Sequence, residues 1–134
     1  MMAYQVQWCI ENFVLFTTYS GKMSVQEFIE VNTLKLSYVE SSPERVHLIA
    51  DMRSLDSVEP SVSELSSVIK VLGHERVDWV IGIGMSQMQS MMLKMIGYVF
   101  RKRIYSATSK DDALRFLQKR DKRLSATIAQ GDWA

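Results

Sequence analysis

The chain has 134 residues, of which 47% are hydrophobic and 23% charged. That length can bury a core of its own, and the composition is near the globular average, which excludes disorder and a disulfide scaffold. One cysteine, Cys9, excludes an internal disulfide and a multi-cysteine metal site, and two histidines, His47 and His74, leave little for a histidine cluster. The opening MMAYQVQWCI is not a basic region followed by an apolar run, and no stretch nears about 18 uninterrupted apolar residues. The expected setting is the cytoplasm, with no secretory signal and no membrane span.

A net charge of +1 hides an asymmetry. Residues 1–100 carry 7 Lys and Arg against 11 Asp and Glu, whereas residues 101–134 carry 9 against 4. Such a basic end can attract phosphates on lipid or nucleic acid; it can equally be a solvated helix end whose cations complement the helix dipole.

In chain order, Tyr4–Ile10 alternates like a strand, and Phe13–Tyr19 (FVLFTTY) reads as its hairpin partner across a two-residue break. Ser20-Gly21-Lys22 predicts a turn. Ser24–Glu27 is a capping box opening a helix with Val25, Phe28, Ile29, Asn32, Leu36 and Val39 on one face, stopped at Ser41-Ser42-Pro43. Val46–Ala50 is short, apolar and β-branched, as in a buried strand, and Asp51–Pro60 reads as a loop. Ser61–Glu64 opens a second helix with Val62, Leu65, Val68, Ile69 and Leu72 inward and Gly73 as its cap. Trp79–Ile83 is the next buried strand. Ser86–Gln89 opens a long helix to about Arg101, Ile104–Ala107 is a last strand, and Ser109–Asp112 caps a final helix with Ala113, Leu114, Phe116 and Leu117 inward. Beyond about Asp121 the pattern fades into a tail that packs, if at all, through Leu124 and Ile128. The order β-β-α-β-α-β-α-β-α predicts an α/β fold: a mostly parallel sheet of about five strands, the first antiparallel, with four main helices. One domain is expected over residues 1–134, with its core at about 4–120 and a C-terminal tail at 121–134.

The element order, the Tyr19-Ser20-Gly21 segment with its capped helix, the strand end VHLIAD and the closing SKDDALRFL resemble SpoIIAA-like proteins of the STAS superfamily over roughly residues 4–120. The resemblance implies a sheet with helices mainly on one face. It also implies a non-catalytic regulatory or ligand-binding module, as in anti-sigma-factor antagonists, transporter-associated domains and stand-alone proteins suggested to meet membranes or small apolar ligands. The fold is similar to that of CRAL-TRIO lipid carriers. In the antagonists a serine within Asp-Ser-Ser-Gly-Leu is phosphorylated. Here Asp51 and the pair Asp56-Ser57 match, which makes Ser57 the implied phosphoacceptor. Val58, Glu59 and Pro60 break the motif, and Asp56 and Glu59 would repel a phosphate there. An Asx-type turn accounts for the same residues.

Three further features bear on function. Gly82-Ile83-Gly84-Met85-Ser86, between strand and helix, could turn backbone N–H groups toward an anion, or be a tight turn alone; it is neither a dinucleotide fingerprint nor a P-loop. Met88, Met91, Met92, Met95 and Val99 make the next helix apolar over more of its girth than sheet packing needs, and Arg101-Lys102-Arg103 ends it. Such a helix fits an apolar ligand or partner surface with an anionic membrane surface at its basic end, or else a core helix or dimer contact. No acid and nucleophile are spaced around either histidine, no aromatics interleave with the basic residues, and no nucleic-acid motif occurs. The expectation is therefore a non-enzyme without metal or cofactor and without nucleic-acid binding. Its partner is a protein or a second copy in bacterial signalling. The alternative is lipid binding or peripheral association with the inner face of the membrane.

Overall fold

The structure, a computed structural model, describes the backbone of residues 4–58 and 62–124 and the side chains of 4–56 and 67–124. Among these, β1 (Tyr4–Ile10) runs antiparallel to β2 (Val14–Met23), and β3 (Val46–Val58), β4 (Val77–Ile83) and β5 (Arg103–Ala107) add in parallel, in the spatial order β1-β2-β3-β4-β5. The two short apolar runs Val46–Ala50 and Trp79–Ile83 are parallel neighbours inside the sheet, with strands on either side of them. Each crossover steps one strand further in the same direction, so right-handed connections place α1 (Val25–Ser41), α2 (Val62–Leu72) and α3 (Gln87–Phe100) on one face. The final helix, α4 (Lys110–Arg120), has no strand to return to and closes the other.

The strand pleat sorts the core accordingly. Phe16, Ile49, Ile81 and Ile83 pack with Leu114 and Leu117 of α4, while Leu15, Leu48 and Val80 pack under the three-helix layer. Ser24 and Ser86 cap α1 and α3 in reciprocal boxes with Glu27 and Gln89, and Ser109 caps α4, each satisfying backbone N–H groups that the first turn leaves unpaired.

Several boundaries differ from the sequence reading. Ser20-Gly21-Lys22 is not a turn: β2 continues to Met23, with Gly21 at φ 65° inside a bulged stretch of its pairing with β3. The supposed loop after Asp51 is likewise strand as far as Val58, paired to the extended end of β2. Turn chemistry and bulge chemistry look alike in sequence, because both call for a residue that tolerates positive φ. On α1 the buried line is Phe28, Val31, Asn32, Lys35 and Val39, with Val25, Ile29 and Leu36 half-buried. Lys35 is inside because Tyr19 Oη accepts its ammonium at 3.1 Å. Ser61, the expected cap of α2, and Ile128 of the tail lie outside the described residues.

Past Asp121 the chain does not fade at once. Lys122–Leu124 form a 3₁₀ turn with Leu124 fully buried, held by a network that spans the fold. Opposite His47, β4 carries an extra residue: Val46 pairs with Val77 but Leu48 pairs with Val80. The bulge deprives the Trp79 N–H of a ladder partner, and the His47 ring replaces it, Nδ1 accepting from that N–H at 3.3 Å. The tautomer follows, so Nε2–H donates to Asp121 Oδ2 at 2.7 Å. Arg123 donates to both Asp121 oxygens, to Glu44 and to the Arg45 carbonyl, and lies over the Phe13 ring. Burial works to raise the Asp121 carboxyl, but the bonds from Arg123 and His47 prevail and hold it well below the usual carboxylate range.

Among the described residues, one buried side-chain group has no partner. Thr17 is 1% exposed on the helix-facing side of β2, and its hydroxyl makes no hydrogen bond. Thr17→Val, isosteric and apolar, is therefore expected to raise the unfolding free energy by about 1 kcal/mol in urea denaturation, because it removes a desolvated hydroxyl without opening a cavity.

Candidate functional site

Helix α3 has two apolar sides, and only one is used in packing. Leu93 and Ile96 join the core beneath the three-helix layer, and Gly97 lies buried against β5. On the opposite side Met88, Met91, Met92 and Met95 are between 51% and 72% exposed, with Val99 beside them and Tyr98 at 87%. Spacings of three and four residues align these side chains along the outside of the helix. Among the described residues, no large apolar side chain outside α3 is as exposed as these, Leu34 coming nearest at 38%. The five residues the sequence singled out as a partner surface therefore come together on one face, and Tyr98, expected with Leu93 on other sides of the helix, belongs to it. Its spacing of three from Met95 was the available signal.

The three cations at the end of the helix do not act as a unit. Arg101 is the C-cap, in the left-handed region at φ 57°, and its exposed guanidinium makes no ion pair among the described residues. Lys102 turns inward: its ammonium donates to the carbonyls of His74 and Val77, both at 2.7 Å, and burial, with Arg45 nearby, pushes its pKa down. Arg103 pairs with Asp78 and stacks over the Trp79 ring at 4.8 Å. Farther along, Arg115 is held by Asp111, Arg120 lies over Phe116, and Arg123 belongs to the His47 network. The basic end of the sequence is thus largely engaged in structure, leaving Arg101, Lys119 and Lys122 as its exposed cations without such contacts. No acid falls between Asp78 and Asp111, and Lys94 is the one charged residue within α3.

Of the two acids that match around Ser57, one is tied up by an arginine and the other is exposed. Asp51 accepts from the Arg53 backbone N–H and, through both carboxylate oxygens, from its guanidinium, which holds its carboxyl below the usual range. Asp56 is exposed five residues farther along β3, about 16 Å at strand rise. Ser57 pairs in the backbone with Lys22, and its side chain lies outside the described residues.

The Gly82–Ser86 turn is structural. Gly84, at φ 67°, donates its N–H to Ala107, and the Ser86 N–H goes to Gln89, so these donors do not point at an anion. His47 and Asp121 are two members of a hydrolase triad by type, but the ring is fully buried and both its nitrogens are occupied, which leaves no basic nitrogen for a nucleophile. Burial raises the Cys9 thiol, opposed by Lys110, so this half-buried cysteine is held as the neutral thiol. Among the described residues no three His, Cys, Asp or Glu side chains gather as metal ligands, and no helix is long and apolar enough to cross a membrane.

With strand order, helix placement and surface established, the fold is SpoIIAA-like. An uncharacterized DUF3478-family protein with a SpoIIAA-like fold from Shewanella loihica PV-4 superposes with a TM-score of 0.63 at 18% identity, over 86% of this chain and 92% of that one. The anti-sigma factor antagonist SpoIIAA in its unphosphorylated form gives 0.61 at 12% identity, over 87% and 98%. The phosphorylated form of SpoIIAA, the Bacillus cell fate determinant, gives 0.58 at 11%, over 86% and 99%. No protein-family model and no curated protein matches the sequence.

Proposed function

We propose that this chain is a non-catalytic regulatory module that works by surface contact, and that the outer face of α3 is the contact surface. The exposed row of Met88, Met91, Met92, Met95, Tyr98 and Val99 carries the reading, since an apolar face of this extent is covered in a working protein. Thioether side chains adapt to differently shaped partners. The likeness to SpoIIAA, an anti-sigma factor antagonist, supports a protein partner, and a second copy of this chain would satisfy the same face. In such a module regulation would fall to Ser57, and phosphopeptide mapping after incubation with host lysate and ATP tests that separately.

A second reading is favoured by charge. The 32 residues from Trp79 to Lys110 contain no acid, and exposed Lys94 and Arg101 flank the apolar face, as suits an anionic membrane surface. One experiment addresses both: native mass for oligomeric state, and co-sedimentation with neutral and anionic vesicles at low and high salt, for the wild type and for Met88→Ser/Met95→Ser. A dimer that the double variant abolishes establishes protein contact. Salt-sensitive sedimentation with anionic vesicles alone, lowered severalfold by Arg101→Gln and unchanged by Lys102→Arg, establishes the lipid reading. A monomer that sediments with neither vesicle would remove a second copy and lipid as occupants of the α3 face and leave a different protein as its partner.

A further inference from the structure

The outer face of α3 has a chemical character that apolar docking does not require. Adaptable packing accounts for the flexibility of methionine, but four positions also carry a sulfur donor that leucine lacks. Met88, Met91 and Met92 form a triangle of neighbours at spacings of three, four and one, and Met91, Met92 and Met95 form a second triangle sharing two corners. The pairs three and four apart have Cβ atoms about 5–6 Å apart. Met91 and Met92 lie to either side of the line from Met88 to Met95, and three rotatable bonds each let their sulfurs reach over the helix to a common point with Met88 or Met95. All four side chains are more than half exposed, so none is committed to the core.

We propose that this face binds monovalent soft copper, Cu(I), or its redox-inert analogue Ag(I), through three thioethers. The donor set decides the ion. Neutral sulfur ligands select Cu(I) over harder cations, and α3 itself carries no carboxylate of the kind a divalent ion needs. Lys94, the one charged residue of α3, stands to the side of the methionine row, where a single positive charge on the metal is tolerable. The ion binds as supplied, with no electron transfer and no bond broken. Met91 and Met92, common to both triangles, are the essential ligands, and Met88 and Met95 alternate as the third.

The test is an anaerobic titration of the full chain with Ag(I), followed by ¹³C-methyl methionine NMR and native mass spectrometry. One metal per chain is expected, with the methyl resonances of Met88, Met91, Met92 and Met95 shifting while those of Met23, Met52 and Met85 stay. Met91→Leu/Met92→Leu should weaken binding at least tenfold, and Cys9→Ser, which removes the competing thiol, should leave it unchanged. Equal binding by the double leucine variant, loss of binding in Cys9→Ser, or no shift of the four methyls at equimolar metal would each overturn the site. Because leucine keeps the face apolar, vesicle or partner binding by the same double variant reports on docking independently of the metal.

Discussion

His47→Leu is expected to lower the unfolding free energy by about 3 kcal/mol at pH 7, measured by urea denaturation. The two side chains are similar in size, so the loss is not a cavity. It comes from a buried backbone N–H at Trp79 with no other acceptor, and from a partly buried Asp121 left with Arg123 alone. The deficit should shrink on acidification. Burial lowers the His47 pKa and outweighs the opposing pull of Asp121 and Asp78, with Arg123 adding to the lowering. Between the ordinary imidazole value of about 6.5 and the lower folded value, the unfolded chain therefore binds more protons than the folded one. Stability contributed by neutral His47 is complete above that range and is lost as the pH falls through it. Wild type should thus lose stability from pH 7 to pH 5 more steeply than the leucine variant. Parallel slopes would show that His47 is not held neutral. Asp121, also lowered, adds a further loss of the same sign only below the ordinary carboxylate range.

Gly97→Ala is expected to destabilise by about 2 kcal/mol, against the usual gain of about 1 kcal/mol for replacing a helical glycine by alanine. A Cβ at this position would sit 2.5 Å from Ile104 Cγ1 and 2.9 Å from the Lys102 carbonyl oxygen. Isoleucine can shift, but the carbonyl belongs to the backbone leading into β5. The methyl group therefore pushes α3 off the sheet edge, an overpacking cost that exceeds the propensity gain. Thermal unfolding reads the change directly. A stabilised Gly97→Ala protein would mean that α3 rides loosely on β5, so that its outer face owes its position to something other than this contact.

Much of the fold was legible because local signals and tertiary roles coincided. The boxes Ser24–Glu27 and Ser86–Gln89 start helices wherever they occur, since they satisfy the same unpaired N–H groups in any context. Trp79–Ile83 is apolar throughout and Val46–Ala50 is apolar but for His47, as suits strands covered on both faces. The candidate face was legible in part: five of its residues follow from helical spacing, and Tyr98 from the same spacing applied once more. Which side of the helix faces out was not, because a helix apolar on two sides reads alike whether it is buried or presented.

What the sequence by itself determined, then, is the succession of strands and capped helices, the antiparallel start and the concentration of thioethers on α3. The tertiary structure alone decided what each polar group is for. Lys102 and Arg103 look like one basic cluster with Arg101, yet backbone carbonyls and Asp78 claim them. Glu44 and Asp51 lie nearest to His47 in sequence, yet its ring N–H donates to Asp121, 74 residues away. Ser20-Gly21-Lys22 looks like a turn and is a bulged strand. The reason is common to all three. Helix starts and apolar strands follow from interactions a few residues apart, whereas hydrogen-bond partners of buried polar groups and strand register depend on residues that only the folded chain brings together.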